Sequence, residues 1–287
     1  SGVIVASGAV FDLANNAQTS QSLSGGGTVN LGTAALTIQG NASTTFSGNI
    51  NGTGVNALIK EGTGTLTLTG TSTYTGSTAI NTGEIIITGY NALGAGAINN
   101  NAALVLNLNT NGTLANVLSG SGDLTKTGDG NTTLNSGQNA ATGNVTVAVG
   151  SLTLAAGTVL QAGGNYETQS GAATILANGA QLKVTGTLTQ NTGATLNVTI
   201  GGAEPIITAN NAYLNGTLKV TGLDLAGRSA SGLSTINHLI METTGGTING
   251  DFSELDLGGA ETGVDYLTLA GQKINADTQY VVSVGLT

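Results

Sequence analysis

Hydrophobic and polar residues alternate in short segments along the whole chain. In the stretch GTGTLTLTGTSTYTGST, residues 62–78, Leu66 and Leu68 stand between threonines. Because successive side chains of a strand point to opposite faces, the leucines share one face and the neighbouring threonines the other. Similar runs, such as ALVLN at 103–107 and TLKVT at 217–221, are separated by Gly or Asn. The pattern predicts many short strands joined by turns, and little helix, since Gly is unfavourable inside helices.

The composition favours a stacked solenoid over a β-sandwich. Only nine aromatic residues are present, which is little bulk for sandwich cores, whereas Gly numbers 47. Short strands with inward Leu, Ile, Val or Ala suit a right-handed parallel β-helix, in which each strand stacks on its equivalent about 4.8 Å away. We therefore predict an all-β chain of this kind, with Gly and Asn in positive-φ conformations at the corners between faces.

Charge and reactive groups narrow the classes of function. The chain has six basic and 15 acidic residues, one His, one Met and no Cys. Disulfides and thiolate metal sites are excluded, and no basic patch is available for nucleic acid or anionic lipid. No apolar run approaches the ~18 residues of a membrane span. Because Leu, Ile, Val and Phe form about a quarter of the chain in a regular pattern, we expect an ordered protein rather than a disordered linker.

An internal repeat supports the solenoid. LIKEGTGTLTLTG, beginning at Leu58, aligns with LTKTGDGNTTLNSG, beginning at Leu124, and the matched positions keep a constant offset. With strands of about five residues plus turns, this offset corresponds to roughly three coils. We expect the two repeats, residues 50–89 and 118–157, to lie in one stack, a few coils apart.

The first repeat closely resembles the passenger-associated transport repeat of bacterial autotransporters. The family pattern is Leu-x-Lys-x-Gly-x-Gly, Leu-x-Leu-x-Gly, Tyr-x-Gly-x-Thr and a later Gly before an apolar strand. The matching positions are Leu58, Lys60, Gly62, Gly64, Leu66, Leu68, Gly70, Tyr74, Gly76, Thr78 and Gly83. The second copy departs from the pattern, with Ala141 in place of Tyr and Thr132 in place of the first Leu of the second block.

The C-terminal region resembles the end of an autotransporter passenger. HLIMETTGGTINGDFSELDLGG and TQYVVSVGLT look like an autochaperone-like cap, and acidic and aromatic residues become more frequent there. We therefore expect β-helix coils over residues 1–222 and a C-terminal β-helix cap over 223–287, since a cap prevents end-to-end stacking. The predicted cap core consists of Phe252, Leu255, Leu257, Tyr266 and Tyr280.

The resemblance implies a non-enzymatic passenger displayed on the surface of a Gram-negative bacterium after export through the periplasm. Adhesion, self-association, cell aggregation or biofilm formation is the implied role, as for virulence-associated adhesins of this family. Implied partners are the protein's own C-terminal outer-membrane β-barrel, which lies outside this chain, the same protein on neighbouring cells, and host-surface glycans or proteins. The candidate adhesive face consists of Thr65, Thr67, Thr69, Thr71 and Thr73.

Catalytic and metal-binding candidates are few. A Ser–His–Asp triad would require His238, whose segment lacks a nucleophile elbow, so we interpret it as a surface or capping residue. Glu254 and Asp256 share a strand face, as a glycosidase dyad or calcium ligands would, but a solvated cap explains them better. GDGN at 128–131 is not a repeated calcium motif and predicts a turn. We expect no catalytic residue, cofactor or metal.

Four alternatives stay open at this point. A β-helical glycan-acting enzyme is the alternative of a different class, and a passive stalk that projects an N-terminal effector domain is another. A regular threonine row would also suit ice binding, but the row is long only in the first repeat. The amide and hydroxyl groups would otherwise serve only to keep the surface soluble without charge.

Overall fold

The computed structural model describes residues 1–135, 137–141, 143–222, 236–257 and 267–286. All regular structure in this part of the chain is β-strand, and parallel stacked coils form a β-solenoid of about 10 turns, as the alternation predicts. The chain divides into two compact units, residues 1–145 and 146–287. Among the described residues there is no helix with the length and apolar character needed to span a membrane.

The first unit has three faces built from parallel strands. Face 1 contains β1 (Val3–Val5), β4 (Leu23–Gly25), β7 (Thr44–Phe46), β10 (Thr65–Leu68), β12 (Glu84–Ile87), β14 (Ala103–Asn107) and β17 (Asp123–Thr127). Face 2 contains β2 (Val10–Asp12), β5 (Thr28–Asn30) and β8 (Asn49–Asn51), then β15 (Gly112–Leu114) and β18 (Asn131–Leu134). Face 3 contains β3 (Gln18–Ser20), β6 (Leu36–Ile38), β9 (Asn56–Lys60), β11 (Ser77–Ile80), β13 (Ile98–Asn100) and β16 (Leu118–Ser119). Strand β19 (Gln138–Ala141) follows near the end of the unit.

Inward aliphatic side chains stack from coil to coil and form the core. One stack on face 1 runs through Leu66, Ile85, Leu104 and Leu124, each no more than 2% exposed. Fully burying one such side chain stabilises the fold by about 1.5–3 kcal/mol. The stack therefore fixes the register, because a slip of one residue would turn these side chains outward and the threonines inward.

The second unit contains three further parallel ladders. Strand β20 (Val145–Val147) begins at the last residue of the first unit. The first ladder contains β23 (Tyr166–Thr168), β26 (Thr187–Gln190), β29 (Asn211–Leu214) and β32 (Ile248–Gly250). The second contains β21 (Ser151–Leu154), β24 (Ala173–Leu176), β27 (Thr195–Thr199), β30 (Thr217–Thr221) and β33 (Glu254–Asp256). The third contains β22 (Val159–Ala162), β25 (Gln181–Val184), β28 (Ile207–Ala209) and β31 (Ile236–Thr243). On the third ladder, β31 pairs antiparallel with β35 (Gln279–Leu286), which pairs antiparallel with β34 (Leu267–Ile274).

The corners use Gly as expected, but the expected role of Asn is wrong at most positions. Positive φ is common among the glycines, for example 70° at Gly62 and 81° at Gly128. Within the described ranges, the non-Gly residues with positive φ are Ala14, Asn15, Asn275, Ala276 and Asp277. Most corner asparagines therefore keep an ordinary backbone conformation and act through their side chains.

Corner asparagines tie successive coils together. Asn111 Oδ1 accepts a hydrogen bond from the backbone N–H of Asn131 at 2.8 Å, one coil further along. The same contact joins Asn165 to the N–H of Thr187 at 2.9 Å. Since strands end at the corners, these amides satisfy backbone donors that the ladders leave unpaired. The abundance of Asn thus has a structural cause that is independent of any ligand.

Candidate adhesive face and repeat corners

The lysine of the first repeat is a core residue. Lys60 ends strand β9 and stacks between Ile38 and Ile80, so that its aliphatic stem continues an inward stack. It is 1% exposed, and its Nζ donates to the carbonyl oxygens of Glu61 and Gly62, each at 2.7 Å. Burial lowers the pKa of the ammonium group, and the nearby Glu61 carboxylate opposes that shift. Lys60 therefore closes the corner that follows its own strand.

The repeat glycines leave room for this corner. A Cβ on Gly62 would lie 2.0 Å from the carbonyl oxygen of Gln39, and one on Gly83 would lie 2.8 Å from Lys60 Nζ. Neither position accepts a side chain, since real Cβ atoms do not approach other atoms so closely. The Lys-x-Gly-x-Gly pattern and the later Gly thus belong to one corner, in which the next coil covers the buried lysine. We call this arrangement a lysine corner.

The second repeat builds the same lysine corner. Lys126 ends an inward stack of Leu68, Ile87 and Leu106 on face 1 and is 1% exposed. Its Nζ donates to the carbonyl oxygens of Thr127 at 2.9 Å and Gly128 at 2.7 Å. Burial lowers the pKa of this ammonium group as well, against the attraction of Asp129. The local geometry is therefore a property of the motif.

The two copies occupy different faces. Successive register partners lead along face 3 from Leu58 through Thr78 and Ile98 to Leu118. The copy of Leu58 is Leu124, which lies beyond Leu118 on strand β17 of face 1. Because the offset between the copies is longer than three coils, the second copy lies one face further around the solenoid.

The repeat tyrosine forms a buried polar pair. Tyr74 is fully buried, and its hydroxyl lies 2.7 Å from Thr78 Oγ1, which is also buried. In the second unit, the hydroxyl of Tyr166 lies 2.8 Å from Thr174 Oγ1 in the same manner. Burial raises the pKa of both tyrosines, while the threonine hydrogen bonds oppose the shift. The pairs supply aromatic bulk to cores that are mostly aliphatic.

These tyrosines predict a loss of stability at alkaline pH. A tyrosine with a raised folded pKa stabilises the fold below its unfolded pKa of about 10 and loses that contribution as pH rises further. Lysines with lowered folded pKa act in the opposite direction, but only up to their unfolded pKa of about 10.4. At pH 11, Tyr74 should therefore cost the first unit about 1.4 kcal/mol relative to pH 9 or below.

Urea unfolding at pH 8 and pH 11 tests this expectation. Tyr74→Phe should remove most of its share of the alkaline loss, although it lowers stability at pH 8 because Thr78 loses its partner. The matched control is Tyr213→Phe, since Tyr213 is 54% exposed. An alkaline loss in Tyr74→Phe as large as in the wild type would show that Tyr74 does not cause it.

The predicted threonine face is only partly continuous. Thr65 and Thr67 are half-buried and point outward from β10, whereas Thr69, Thr71 and Thr73 are exposed and follow the end of that strand. Two of these hydroxyls already have internal partners. Thr65 Oγ1 donates to Glu84 Oε2 at 3.1 Å, and Thr73 Oγ1 donates to Asn51 Oδ1 at 2.7 Å. An adhesive role for the five threonines stays a prediction.

Neighbouring coils add other side chains to face 1 in two outward rows. The row that we call the methyl row consists of Thr45, Thr67, Ile86, Val105 and Thr125. Beside it, the carboxylate row consists of Thr65, Glu84, Ala103 and Asp123. Face 1 therefore presents β-branched methyl groups next to two carboxylates, and not a threonine array.

The predicted cap residues lie at the end of the second unit. Tyr280 is 2% exposed and its ring meets Phe252 edge to face, with centroids 5.2 Å apart. Leu255 is half-buried and pairs in register with Leu218 of β30, and Leu257 is half-buried. Tyr266 lies outside the described residues. A capping role for these residues stays a prediction.

The side chains considered for catalysis or metal binding form hydrogen bonds or ion pairs within the protein. Glu254 accepts a hydrogen bond from Thr217 at 3.1 Å, and Asp256 forms an ion pair with Lys219 at 3.1 Å. His238 Nδ1 lies 3.0 Å from Glu204, a pair that sequence reasoning missed. No group of three or more His, Cys, Asp or Glu side chains suited to a metal ion occurs in the described part of the chain.

Sequence reasoning also missed a buried polar network in the second unit. Thr168 Oγ1 lies 2.8 Å from Thr174 Oγ1 and accepts a hydrogen bond from Gln190 Nε2 at 2.9 Å. The available signal was parity, since Thr174 stands two residues before Leu176 and therefore shares its inward direction. The network shows that Thr is an internal as well as an external residue in this solenoid.

Comparison with known families agrees with the architecture. Residues 58–87 and 124–164 match the family described as Passenger-associated-transport-repeat. These two windows confirm the resemblance to autotransporter passengers seen in the sequence, and they lie within the stacked coils.

One relative is similar to part of the chain. The chain is 39% identical over 102 residues to "Adhesin BmaC autotransporter" of Brucella suis biovar 1 (strain 1330). The alignment covers 34% of this chain and 3% of that protein. The chain thus spans a small part of the length of the relative it matches.

Proposed function

We propose that this chain is a non-enzymatic, surface-displayed passenger segment that mediates adhesion, self-association or biofilm formation. The observation that carries the proposal is the match of two windows to the passenger-associated repeat, together with similarity to a protein named as an adhesin autotransporter. In this proposal the segment reaches the surface of a Gram-negative cell with the help of its own C-terminal outer-membrane β-barrel. Residues 223–287 cap the coils of residues 1–222.

The distribution of side chains supports an adhesive role for the outward faces. In the first unit, the lysines and Tyr74 of the repeats are buried and maintain the corners. The outward positions carry Thr, Asn, Ile and Val in rows that cross several coils. Such rows offer many weak contacts over a large area, and their sum rather than one pocket would hold a partner. The ligands that suit this arrangement are surfaces, namely a second cell's copy or host glycans and proteins.

The partners of the carboxylates support a role without catalysis. A glycosidase needs one carboxyl group as an acid and a second as a base or nucleophile, both free to meet the sugar. Glu254 and Asp256 instead contact Thr217 and Lys219 of the preceding coil. His238 contacts Glu204 and therefore has a structural partner. These contacts support the capping interpretation of the acidic segment.

Bead aggregation tests the proposed adhesion. Beads coated with the purified chain are compared with beads coated with an inert protein, alone and mixed with beads that carry host-surface glycans or proteins. We expect the coated beads to aggregate with each other or with at least one partner bead. The passive stalk predicts no aggregation above the inert control in any mixture, and that result would refute the adhesive role.

The same glycans test the absence of catalysis. We expect no oligosaccharide release, and we expect chelators to leave the unfolding midpoint unchanged. Glu254→Gln and Asp256→Asn are the matched variants, because each keeps the shape of its side chain. Release of oligosaccharide by the wild type that either variant abolishes would establish the enzyme alternative.

A further inference from the structure

The surface charge of the first unit has one sign. Its ionisable side chains with formal charge are the carboxylates of Asp12, Glu61, Glu84, Asp123 and Asp129 and the ammonium groups of Lys60 and Lys126. Both lysines are 1% exposed and donate to backbone carbonyls. A partner that approaches this unit therefore meets carboxylates and no side-chain cation.

Among the described residues of the first unit, the carboxylates that no buried lysine offsets are Glu84 and Asp123 on face 1 and Asp12 on face 2. Glu61 and Asp129 are close enough to Lys60 and Lys126 to raise the pKa of those ammonium groups. The buried lysine therefore partly offsets the negative charge of the carboxylate beside it. Glu84 and Asp123 lie on the carboxylate row, separated by Ala103. The ion pairs found among the described residues all belong to the second unit. The neighbours of the two face-1 carboxylates, Thr65 and Asn144, donate hydrogen bonds but bring no positive charge.

The methyl row gives the same face an apolar strip. Threonine occupies the ends of this row, since it combines β-branching, which suits a strand, with a hydroxyl group that solvent can reach. Its middle positions are Ile86 and Val105, which point outward and are half-buried. Aliphatic side chains at outward positions gain stability when a partner covers them, at about 25 cal/mol per Å² of apolar surface.

We propose that face 1 of the first unit docks an extended cationic segment of a partner polypeptide. The proposal deepens the adhesive function and rests on it. Glu84 and Asp123 are two rungs apart, about 10 Å at the usual strand spacing, which an extended chain spans in about three residues. A segment in the extended polyproline II conformation rises about 3.1 Å per residue with three residues per turn, so every third side chain points the same way. Lys or Arg at every third position, with β-branched residues between them, therefore fits both rows. Anionic glycans and the first unit of a second copy carry the same sign of charge as the face and are disfavoured.

Peptide binding to the purified chain of residues 1–287 tests the docking. The probe is a fluorescent twelve-residue peptide of repeated Lys-Val-Thr, with the corresponding Gln-Val-Thr and Glu-Val-Thr peptides as neutral and acidic controls. Fluorescence anisotropy is measured at low salt and at about 0.15 M salt, where exposed charges are partly screened. The face variant is Glu84→Gln with Asp123→Asn. The matched control is Asp12→Asn with Asp129→Asn, which removes the same charge from other parts of the unit.

We expect the Lys-Val-Thr peptide to bind, the face variant to weaken binding roughly three- to tenfold, and the control variant to weaken it less than about twofold. Ile86→Ser with Val105→Ser should also weaken binding at unchanged charge. Unfolding midpoints equal to the wild type establish that each variant is folded. If the face variant is not folded, Asp123→Asn alone replaces it, with Asp129→Asn alone as its control. Equal losses in face and control variants, or equal binding of all three peptides, would overturn the docking proposal.

Bead aggregation separates this proposal from the broader one. If the face variant aggregates with partner beads as the wild type does, adhesion stands and docking on face 1 is refuted as its basis. If the peptide binds in a face-dependent way but no beads aggregate, docking stands and the adhesive function fails.

Discussion

Replacing Lys60 with Met is expected to lower the free energy of unfolding of the first unit by about 2 kcal/mol, as is Lys126→Met. Methionine keeps the apolar stem in its inward stack but cannot donate to the two corner carbonyls. Hydrogen bonds to charged groups contribute about 1.5–3 kcal/mol each. Removing a desolvated ammonium group returns part of that loss, which is consistent with the lowered pKa of both lysines.

The double variant gives the larger effect. The two corners lie on different faces and share no hydrogen-bond acceptor. The losses should therefore add to about 4 kcal/mol, whereas a typical domain has only about 5–15 kcal/mol in total. Urea unfolding at neutral pH measures each loss. Lys183→Met is the control at an exposed position, and it should change stability by less than about 0.5 kcal/mol. Single variants as stable as Lys183→Met would mean that the lysine corners do not hold the coils.

Deleting residues 223–287 should leave a chain that folds slowly and is sensitive to protease. The deletion removes β31–β35, and with them the register partners of Ile207 and Leu218, which are fully buried. It also removes the contact of Phe252 with Tyr280 and the bond from Ile248 N–H to the Asp277 carbonyl at 2.7 Å. Each newly exposed aliphatic side chain costs about 1.5–3 kcal/mol, and β28 and β30 lose the strands that pair with them in the intact chain.

Limited proteolysis with mass spectrometry, together with refolding followed by circular dichroism, measures this effect. Deleting residues 1–60 is the comparison, and it should leave a folded remainder because the larger side chains of the C-terminal region stay in place. We expect protease to spare the C-terminal region longest in the intact chain. Trimming from the C-terminal end first, with residues 1–222 preserved, would show that this region does not template the coils.

Much of the fold follows from parity in the sequence. Alternation placed Leu66 and Leu68 inward and Thr65 and Thr67 outward, and the structure has them so. Stacking required only that each coil present the same alternation, which it does. The lysines were harder to place, since a charged residue is rarely buried. Their parity with Leu58 and Leu124 was the available signal, because residues two apart in a strand share a face.

The neighbours of the candidate adhesive threonines could not be predicted from alternation within one strand. Which residues lie on either side of Thr67 depends on coil length, which is shorter between the register partners Thr65 and Glu84 than between Thr44 and Leu66. Corner geometry sets that length, so the rows across coils were not predictable from alternation within one strand. The same variation placed the second repeat on a different face from the first.

The adhesive role is tested most directly on living cells. Gram-negative cells that do not aggregate by themselves display residues 1–287 on an outer-membrane anchor, and their settling in suspension is measured. Cells with the anchor alone are the control, and surface exposure of the segment is checked by protease shaving. We predict that displaying cells settle faster in suspension or attach in greater number to a host-protein or glycan surface. Settling and attachment equal to the anchor control, with the segment exposed and folded, would contradict it.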